Sequence, residues 1–387
     1  MEATFWLLAA VLGWCYFGYP LAMIVRSRLR PDPVDASAES TPTVTVVLAV
    51  RDEAARIVAR LENLCGSDYP ADRLDVVVVC NGCGDGTDEL VEQYARRHDR
   101  IRLVRSRSDG GKSQALNEGV AAATGEIIVF ADARQRFESG TIGALVAPLA
   151  DARVGAVTGR LVIRSSDRPA VRGVGLYWDF ETELRQAEAR TGSVVGVTGA
   201  VYAVRRALFP RMPAGLILDD LWVPMRIAQA GYRIGMAPAA VACDDASPGE
   251  AHEFTRRRRT MVGNIQLVRS APDLLVPWRN PLWSRFVSHK LLRVASPFCF
   301  VALLVVSALL PGAYRVFFGL ELGAYGLGLI GLIAPLPLLS LPAAFVLMHG
   351  AAFAALPHWG ANADRVWVRP AARELEAGAV PGGGSQQ

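Results

Sequence analysis

Apolar residues gather at the two ends of this chain, and the stretch between them alternates short apolar runs with longer, mixed segments of helical character. From Ala3 to Val25 no residue is charged, about the length that crosses a bilayer. Val294 to Tyr314 and Leu322 to about Phe353 are likewise free of Asp, Glu, Lys and Arg. The last run is too long for one helix and is broken by Pro335 and Pro337, so it reads as two spans. The pattern therefore predicts four crossings. Between Thr43 and Ala271 it predicts strands at Val44–Val50, Leu74–Cys80, Ile101–Val104 and Ile127–Phe130, with helices at Glu53–Cys65, Asp88–His98 and Ser113–Ala123. Strands that are apolar throughout are buried on both faces, and their alternation with helices implies an α/β fold with a mostly parallel sheet. Ligands then bind in the loops beyond the strands' carboxyl ends.

Charge adds orientation. Arg26, Arg28 and Arg30 follow the first run at once, whereas only Glu2 precedes it, which places the amino terminus outside and the next domain in the cytoplasm. A cleaved signal peptide would need a basic start, a shorter apolar run and a small-residue cleavage site, and none is visible. "VPWRNPLWSRFVSHKLLR", with Trp278 and Trp283 as anchors, reads as an amphipathic segment on the membrane surface. Four crossings put both termini on the same side, yet Arg365, Arg369 and Arg373 of the tail prefer the inside and the short loops carry too little charge to decide, so the tail's side stays open. A net charge of +4 from 41 basic and 37 acidic residues gives no case for a nucleic-acid partner. The six cysteines are scattered, which suits a reducing compartment, and Cys80-Asn81-Gly82-Cys83 lacks the second Cys/His pair that a zinc site requires.

The loops after the strands carry the candidate chemistry: "AVRDE", "CNGCGDGT", "SDGGKSQALNEG" and "ADARQ". "SRSDGGKS" approaches a phosphate-binding P-loop, but Ser106 stands where that loop needs its first glycine. In "GEIIVFADARQ", Asp132 lies at a strand's carboxyl end and Arg134 two residues on, as if a pair of metal-binding acids had exchanged its second member for a cation.

Six segments, "VVLAVRDEAARI", "VVVVCNGCGDGT", "GGKSQALNEG", "GEIIVFADARQ", "GVTGAVYAVRRALF" and "LDDLWVPMRIAQAGYRI", follow the order and spacing of family-2 membrane glycosyltransferases, which the chain resembles from about Val44 to Leu267. The resemblance implies a GT-A fold, Rossmann-like, and inverting sugar transfer. It places Arg51 and Glu53 beside the donor nucleotide and Asn81 at the base, where relatives carry aspartate; an amide can both donate and accept there. Lys112 is placed near the diphosphate and Asp132 at the metal, Mg²⁺ or Mn²⁺, with Arg134 replacing the second acid. Gly196, Thr198 and Gly199 match the segment flanking the acceptor, with Asp219 beside it. Asp220 is the general base; the competing reading for "LDDLW" is a pair of acids capping a helix. "EFTRRRRTMVGN" matches an element in which Arg256 replaces a glutamine, Arg259 holds the leaving diphosphate and Thr260 replaces a tryptophan. Losing that tryptophan favours addition of single residues over polymer synthesis. The four arginines read equally as a basic face for lipid headgroups.

The expected organisation is an anchor at 1–30, a GT-A domain at 42–272, an interfacial segment at 273–293, about three membrane helices at 294–357 and a tail at 358–387. The expected partners are a nucleoside-diphosphate sugar, a UDP-sugar first, and a lipid-linked or saccharide acceptor at the cytoplasmic face of the inner membrane. Competing readings are a polyprenyl-phosphate sugar transferase and a weakly active, nucleotide-sugar-binding subunit of a polysaccharide assembly.

Overall fold

The structure, a computed structural model, describes residues 1–106, 111–164, 169–245, 250–334 and 336–358. Residues 107–110 of the glycine-rich loop and all of the expected tail but His358 lie outside them. In chain order the elements are α1 Glu2–Gly13, a π-helical turn at Trp14–Gly18 and α2 Tyr19–Leu29; β1 Val44–Val50, α3 Ile57–Cys65, β2 Leu74–Asn81, α4 Thr87–Ala95, β3 Ile101–Ser106, α5 Gly111–Ala122, β4 Ile127–Ala131 and β5 Arg136–Phe137. Then come α6 Thr141–Val146, β6 Val154–Arg164, α7 Pro169–Arg190, β7 Val201–Arg205, α8 Asp219–Gln229, β8 Arg233–Asp245 and α9 Glu250–Ser270. The chain continues with α10 Trp283–Arg285, a second π-helical turn at Phe286–Leu291, α11 Leu292–Leu309, α12 Tyr314–Ile333 and α13 Ser340–Ala355.

One eight-stranded sheet, ordered β3-β2-β1-β4-β7-β6-β8-β5, forms the centre. The first four strands in that order run parallel, and β7 is inserted antiparallel to both β4 and β6. The sheet is thus mixed but mostly parallel, as expected. Val46, Val47, Leu48 and Val76 to Val79 are fully buried, because helices cover both faces. Gly119 lets α5 lie directly on the sheet, since a β-carbon there would stand 2.5 Å from Val47 Cγ1.

The first helix of the domain starts later than the pattern predicts, at Ile57 rather than Glu53. The amides that would open it are used elsewhere. Glu53 N–H donates to Thr87 Oγ1 at 2.9 Å and Ala54 N–H to Asp85 Oδ2 at 2.9 Å, while Asp52, at φ 54, accepts from Gly84 N–H at 2.8 Å. These bonds stitch the loop after β1 to the loop after β2.

Three helices are long and apolar enough to cross a membrane: Glu2–Leu29, Trp283–Leu309 and Tyr314–Ile333. The fourth expected span is α13, whose 16 residues fall short of a crossing and whose end seats Ala355 on Val262 of α9. The stretch expected to lie on the surface is divided, because from Trp283 onward it is already the second long helix. Among the described residues, large apolar side chains stand exposed along residues 1–29 and 301–353 and at Phe180, Leu275 and Trp278.

The membrane helices are tied to α7. His289 Nδ1 faces Glu188 Oε1 at 2.8 Å and Nε2 faces Glu181 Oε1 at 2.9 Å, Arg293 donates to Glu181 Oε2 at 2.6 Å, and Tyr19 donates to Glu188. Burial opposes ionisation of both glutamates, but His289 outweighs it and holds them below the usual carboxylate range.

Gly119→Ala is expected to cost about 1–3 kcal/mol through overpacking against Val47. Gly143→Ala, at a helical site with nothing within 4 Å, is expected to cost nothing. Thermal unfolding of the two variants in one detergent compares them directly.

Candidate active site

The carboxyl ends of β3, β2, β1 and β4 lie side by side along one end of the sheet, and after β4 the parallel half gives way to β7. Arg51 is exposed after β1, and Glu53 pairs with Arg56 at 3.2 Å. Asn81 is the last residue of β2 and is buried. All three lie at or just beyond the carboxyl ends of β1 and β2.

Asp132 follows β4. Lys112, in the first turn of α5, donates to its Oδ1 at 2.9 Å and lies 3.9 Å from Asp219 Oδ2. Burial alone would lower the Lys112 pKa, but Asp132 and Asp219 outweigh it and raise it, so the ammonium stays charged. From below, Arg60 Nε donates to the backbone carbonyl of Asp132 at 3.0 Å while its guanidinium stacks 4.3 Å above Phe137. Burial pulls Arg60 down to about 9, still charged at neutral pH. The sequence reading missed Arg60, although it occupies the i+3 place in the apolar stripe of Ile57, Leu61 and Leu64, where a charge needs an explanation.

Arg134 does not act on Asp132. Its Nη2 donates to Asp244 Oδ2 at 2.6 Å, an oxygen that Gln135 Nε2 also reaches at 2.9 Å. Strand alternation would have pointed Arg134 the same way as Asp132, but β4 ends at Ala131 and the chain turns before β5, so that rule no longer holds. The cation clamps this turn to β8.

β7 begins where β4 ends, with Val201 opposite Ala131. Gly196, Thr198 and Gly199 therefore arrive beside Asp132. Thr198 N–H donates to Thr158 Oγ1 at 2.9 Å, and Arg185 of α7 donates to Thr198 Oγ1 at 2.9 Å and to the Gly196 carbonyl at 2.8 Å. A β-carbon on Gly199 would stand 3.7 Å from Asp220 Oδ2, so glycine keeps that carboxylate approachable.

Asp219 and Asp220 open α8, yet neither caps it by a side-chain hydrogen bond, and among the described residues the buried Asp219 Oδ2 has no hydrogen-bond partner, only the Lys112 ammonium at 3.9 Å. Both carboxylates instead lie close enough to Lys112 to interact with its charge. Burial and then Asp219 push Asp220 up to about 6, against the opposing pull of Lys112, Lys290 and Arg259. Behind them Tyr202 stacks on Phe130 with centroids 4.5 Å apart, its hydroxyl pushed up first by burial and then by Asp219, Asp220 and Asp132. The segment leading to α8 is held by α9: Gln266 accepts from Ile217 N–H at 2.9 Å and donates to the Gly215 carbonyl at 2.8 Å. Of the four arginines on α9, Arg259 is the one whose charge acts on both Lys112 and Asp220. Arg256 is half-buried three residues earlier on the same helix.

Among the described residues no group of three His, Cys, Asp or Glu could hold a metal by itself. Asp132 offers one carboxylate. That suffices for an ion that keeps several waters and takes substrate phosphates as ligands, as magnesium does.

Residues 42–263 match the family model described as "Glycosyltransferase like family 2". The chain is similar to "Probable glycosyltransferase YdaM" of Bacillus subtilis (strain 168), 27% identical over 240 residues, which are 59% of this chain and 56% of that protein. It is 28% identical over 211 residues to "Beta-monoglucosyldiacylglycerol synthase" of Synechocystis sp., covering 52% of this chain and 43% of the other. The chain thus spans about half the length of these curated relatives. Among solved structures, mannosyltransferase PcManGT from Pyrobaculum calidifontis, in complex with GDP-Man and Mn²⁺, superimposes with a TM-score of 0.69 at 27% identity, over 92% of this chain and 98% of that one.

The Asp220 carboxyl is expected to titrate near 6 and to move down in Asp219→Asn, because the second-largest upward influence is removed. Arg259→Met is expected to move it up. Carbon-13 labelled aspartate followed by NMR reads both shifts without any substrate.

Proposed function

This chain belongs to glycosyltransferase-like family 2, and we propose that it transfers a sugar, with inversion, from a nucleoside diphosphate to a membrane-associated or saccharide acceptor at the cytoplasmic face of the inner membrane. The observation that carries this reading is the meeting of a donor-side acid, Asp132, with a half-buried carboxylate near 6, Asp220, across a ridge of small residues. A base needs a pKa near the working pH and an open approach for a hydroxyl. Gly199 leaves that approach open.

In the proposed reaction the acceptor hydroxyl lies against Gly196, Thr198 and Gly199, and Asp220 takes its proton as the oxygen attacks the anomeric carbon. The bond from that carbon to the diphosphate breaks, and the nucleoside diphosphate departs with the electron pair. Lys112 and Arg259 face the departing charge, a task for fixed cations in a partly dry site. Arg51, Glu53 and Asn81 hold the nucleoside, and Arg256 stands on the same side as Arg259. PcManGT was solved with GDP-Man, and the amide of Asn81 accommodates a guanine or a uracil edge equally. When bound, Mg²⁺ or Mn²⁺ neutralises the diphosphate, with Asp132 as the residue that holds it. Arg26 and Arg28 in the last turn of α2, with Arg30 after it, support an orientation with the sheet domain inside.

Asp220→Asn is expected to lower turnover about a hundred- to ten-thousand-fold while leaving donor binding nearly intact, since the base acts on the acceptor. Release of nucleoside diphosphate by purified full-length protein, offered UDP- and GDP-sugars, measures the first, and calorimetry the second. Turnover equal to wild type would remove Asp220 from the reaction. In the same assay a chelator is expected to slow wild type and Mn²⁺ to restore it, whereas Arg259→Ala is expected to lose more activity than Arg257→Ala.

A further inference from the structure

Near its start the second long helix widens into a π-helical turn, Phe286–Leu291. Widened turns of this kind are less stable than a regular helix and concentrate at functional sites. Here the turn lets two consecutive residues face the sheet domain. His289 is held between Glu181 and Glu188, and Lys290 reaches forward to the acceptor segment. A β-carbon on Gly196 would stand 3.9 Å from Lys290 Cε and 3.5 Å from the Asp220 carbonyl oxygen, so lysine and base flank one glycine.

Arg185 reaches the same glycine from the other side, donating to its carbonyl at 2.8 Å. Its other partners are the hydroxyls of Thr198 and Thr158, all neutral. Among the described residues neither Arg185 nor Lys290 has a carboxylate within salt-bridge distance. The nearest acids on α7 are already engaged, Glu181 by His289 and Arg293 and Glu188 by His289 and Tyr19. Glu181, Glu188 and Asp220 act on these cations from a distance, but neither cation has an ion pair of its own, and two half-buried cations beside one glycine can take an anion.

We propose that Lys290 and Arg185 form an anion-binding subsite beside Asp220, which takes a phosphate linking the acceptor's hydroxylated headgroup to its lipid. This rests on the assignment of Asp220 as the base. Gly196 and Gly199 are three residues apart, so the phosphate and the reacting hydroxyl are separated by no more than about 10 Å, the reach of three extended residues and room for one sugar or polyol unit. The subsite lies at the start of a membrane helix, where a lipid phosphate travels. Two sources share this chemistry, a glycerophospholipid with a polyol headgroup and a prenyl diphosphate sugar.

The test is binding by the full-length protein in neutral detergent, with three probes: dihexanoyl phosphatidylglycerol, farnesyl diphosphoglucose and the uncharged dihexanoylglycerol. At least one phosphate probe is expected to bind about tenfold or more tightly than dihexanoylglycerol, and the one that does identifies the source. Lys290→Met is expected to erase that preference and Lys290→Arg to keep most of it. Arg28→Gln, a cation outside the subsite, is expected to change nothing. Arg185→Gln serves as a second variant, scored only if its thermal unfolding matches wild type. Equal binding of all three probes to wild type, or a preference that survives Lys290→Met, overturns the proposal. Because no turnover is measured, such a failure leaves the role of Asp220 standing, while loss of that role in the Asp220→Asn assay leaves the binding result interpretable.

Discussion

The site depends on one backbone pairing. β7 runs antiparallel to β4 with Val201 opposite Ala131, so the chain leaving β4 and the chain entering β7 occupy the same edge of the sheet. Asp132 lies just past one end and Gly199 just before the other. The amide of Val197 donates to the carbonyl of Asp220 at 2.9 Å, which fastens α8 to the same junction. A slip of one residue in this register would turn every side chain of β7 to the opposite face and separate the two acids. Elsewhere the parallel strands could be lengthened or shortened with less effect on the chemistry.

Charge within that junction is arranged by sign. Asp132, Asp219 and Asp220 lie close together, and Lys112, Arg259, Lys290 and Arg185 approach them from four different elements. Acids so crowded would protonate, and cations so crowded would repel a lipid-borne or nucleotide-borne cation and attract an anion. The balance leaves one acid, Asp220, poised between its two forms while Lys112 remains fully charged. Arg134 is outside this balance because it closes on Asp244.

Much of this was legible in the sequence where the signal is local. β1, β2 and β4 announce themselves as uniform apolar runs, and Asp132, Lys112 and Asp220 stand at the ends or starts of elements that such runs define. β6 and β8 do not, since Gly155, Gly159, Arg160, Gly235 and Pro238 interrupt them and their pairing carries register shifts that only long-range contacts fix. The partner of Arg134 was not legible, because Asp244 lies 110 residues away on β8. Lys290 and Arg185 were not singled out, since a lysine in an amphipathic stretch and an arginine on a helix look like solvated charges until the partners on other elements are known. The first membrane helix was legible from composition, but its bond from Trp14 to Ser288 Oγ at 3.0 Å on the second was not.

Arg285 gives the sheet domain something it does not itself possess. Its guanidinium donates to the carbonyls of Glu188, Thr191 and Ser193 at 2.6, 2.7 and 2.6 Å, ending α7 and the turn that follows it with a cation drawn from the membrane helix. During synthesis the end of α7 therefore lacks this partner until a residue 97 positions after Glu188 has been made, and that residue belongs to a helix long and apolar enough to cross a bilayer. Domains ordinarily fold from the amino end as the chain emerges. Here the last turn of α7, and with it the placement of Arg185, is completed by a residue of the second long helix, so that helix and the sheet domain complete one another.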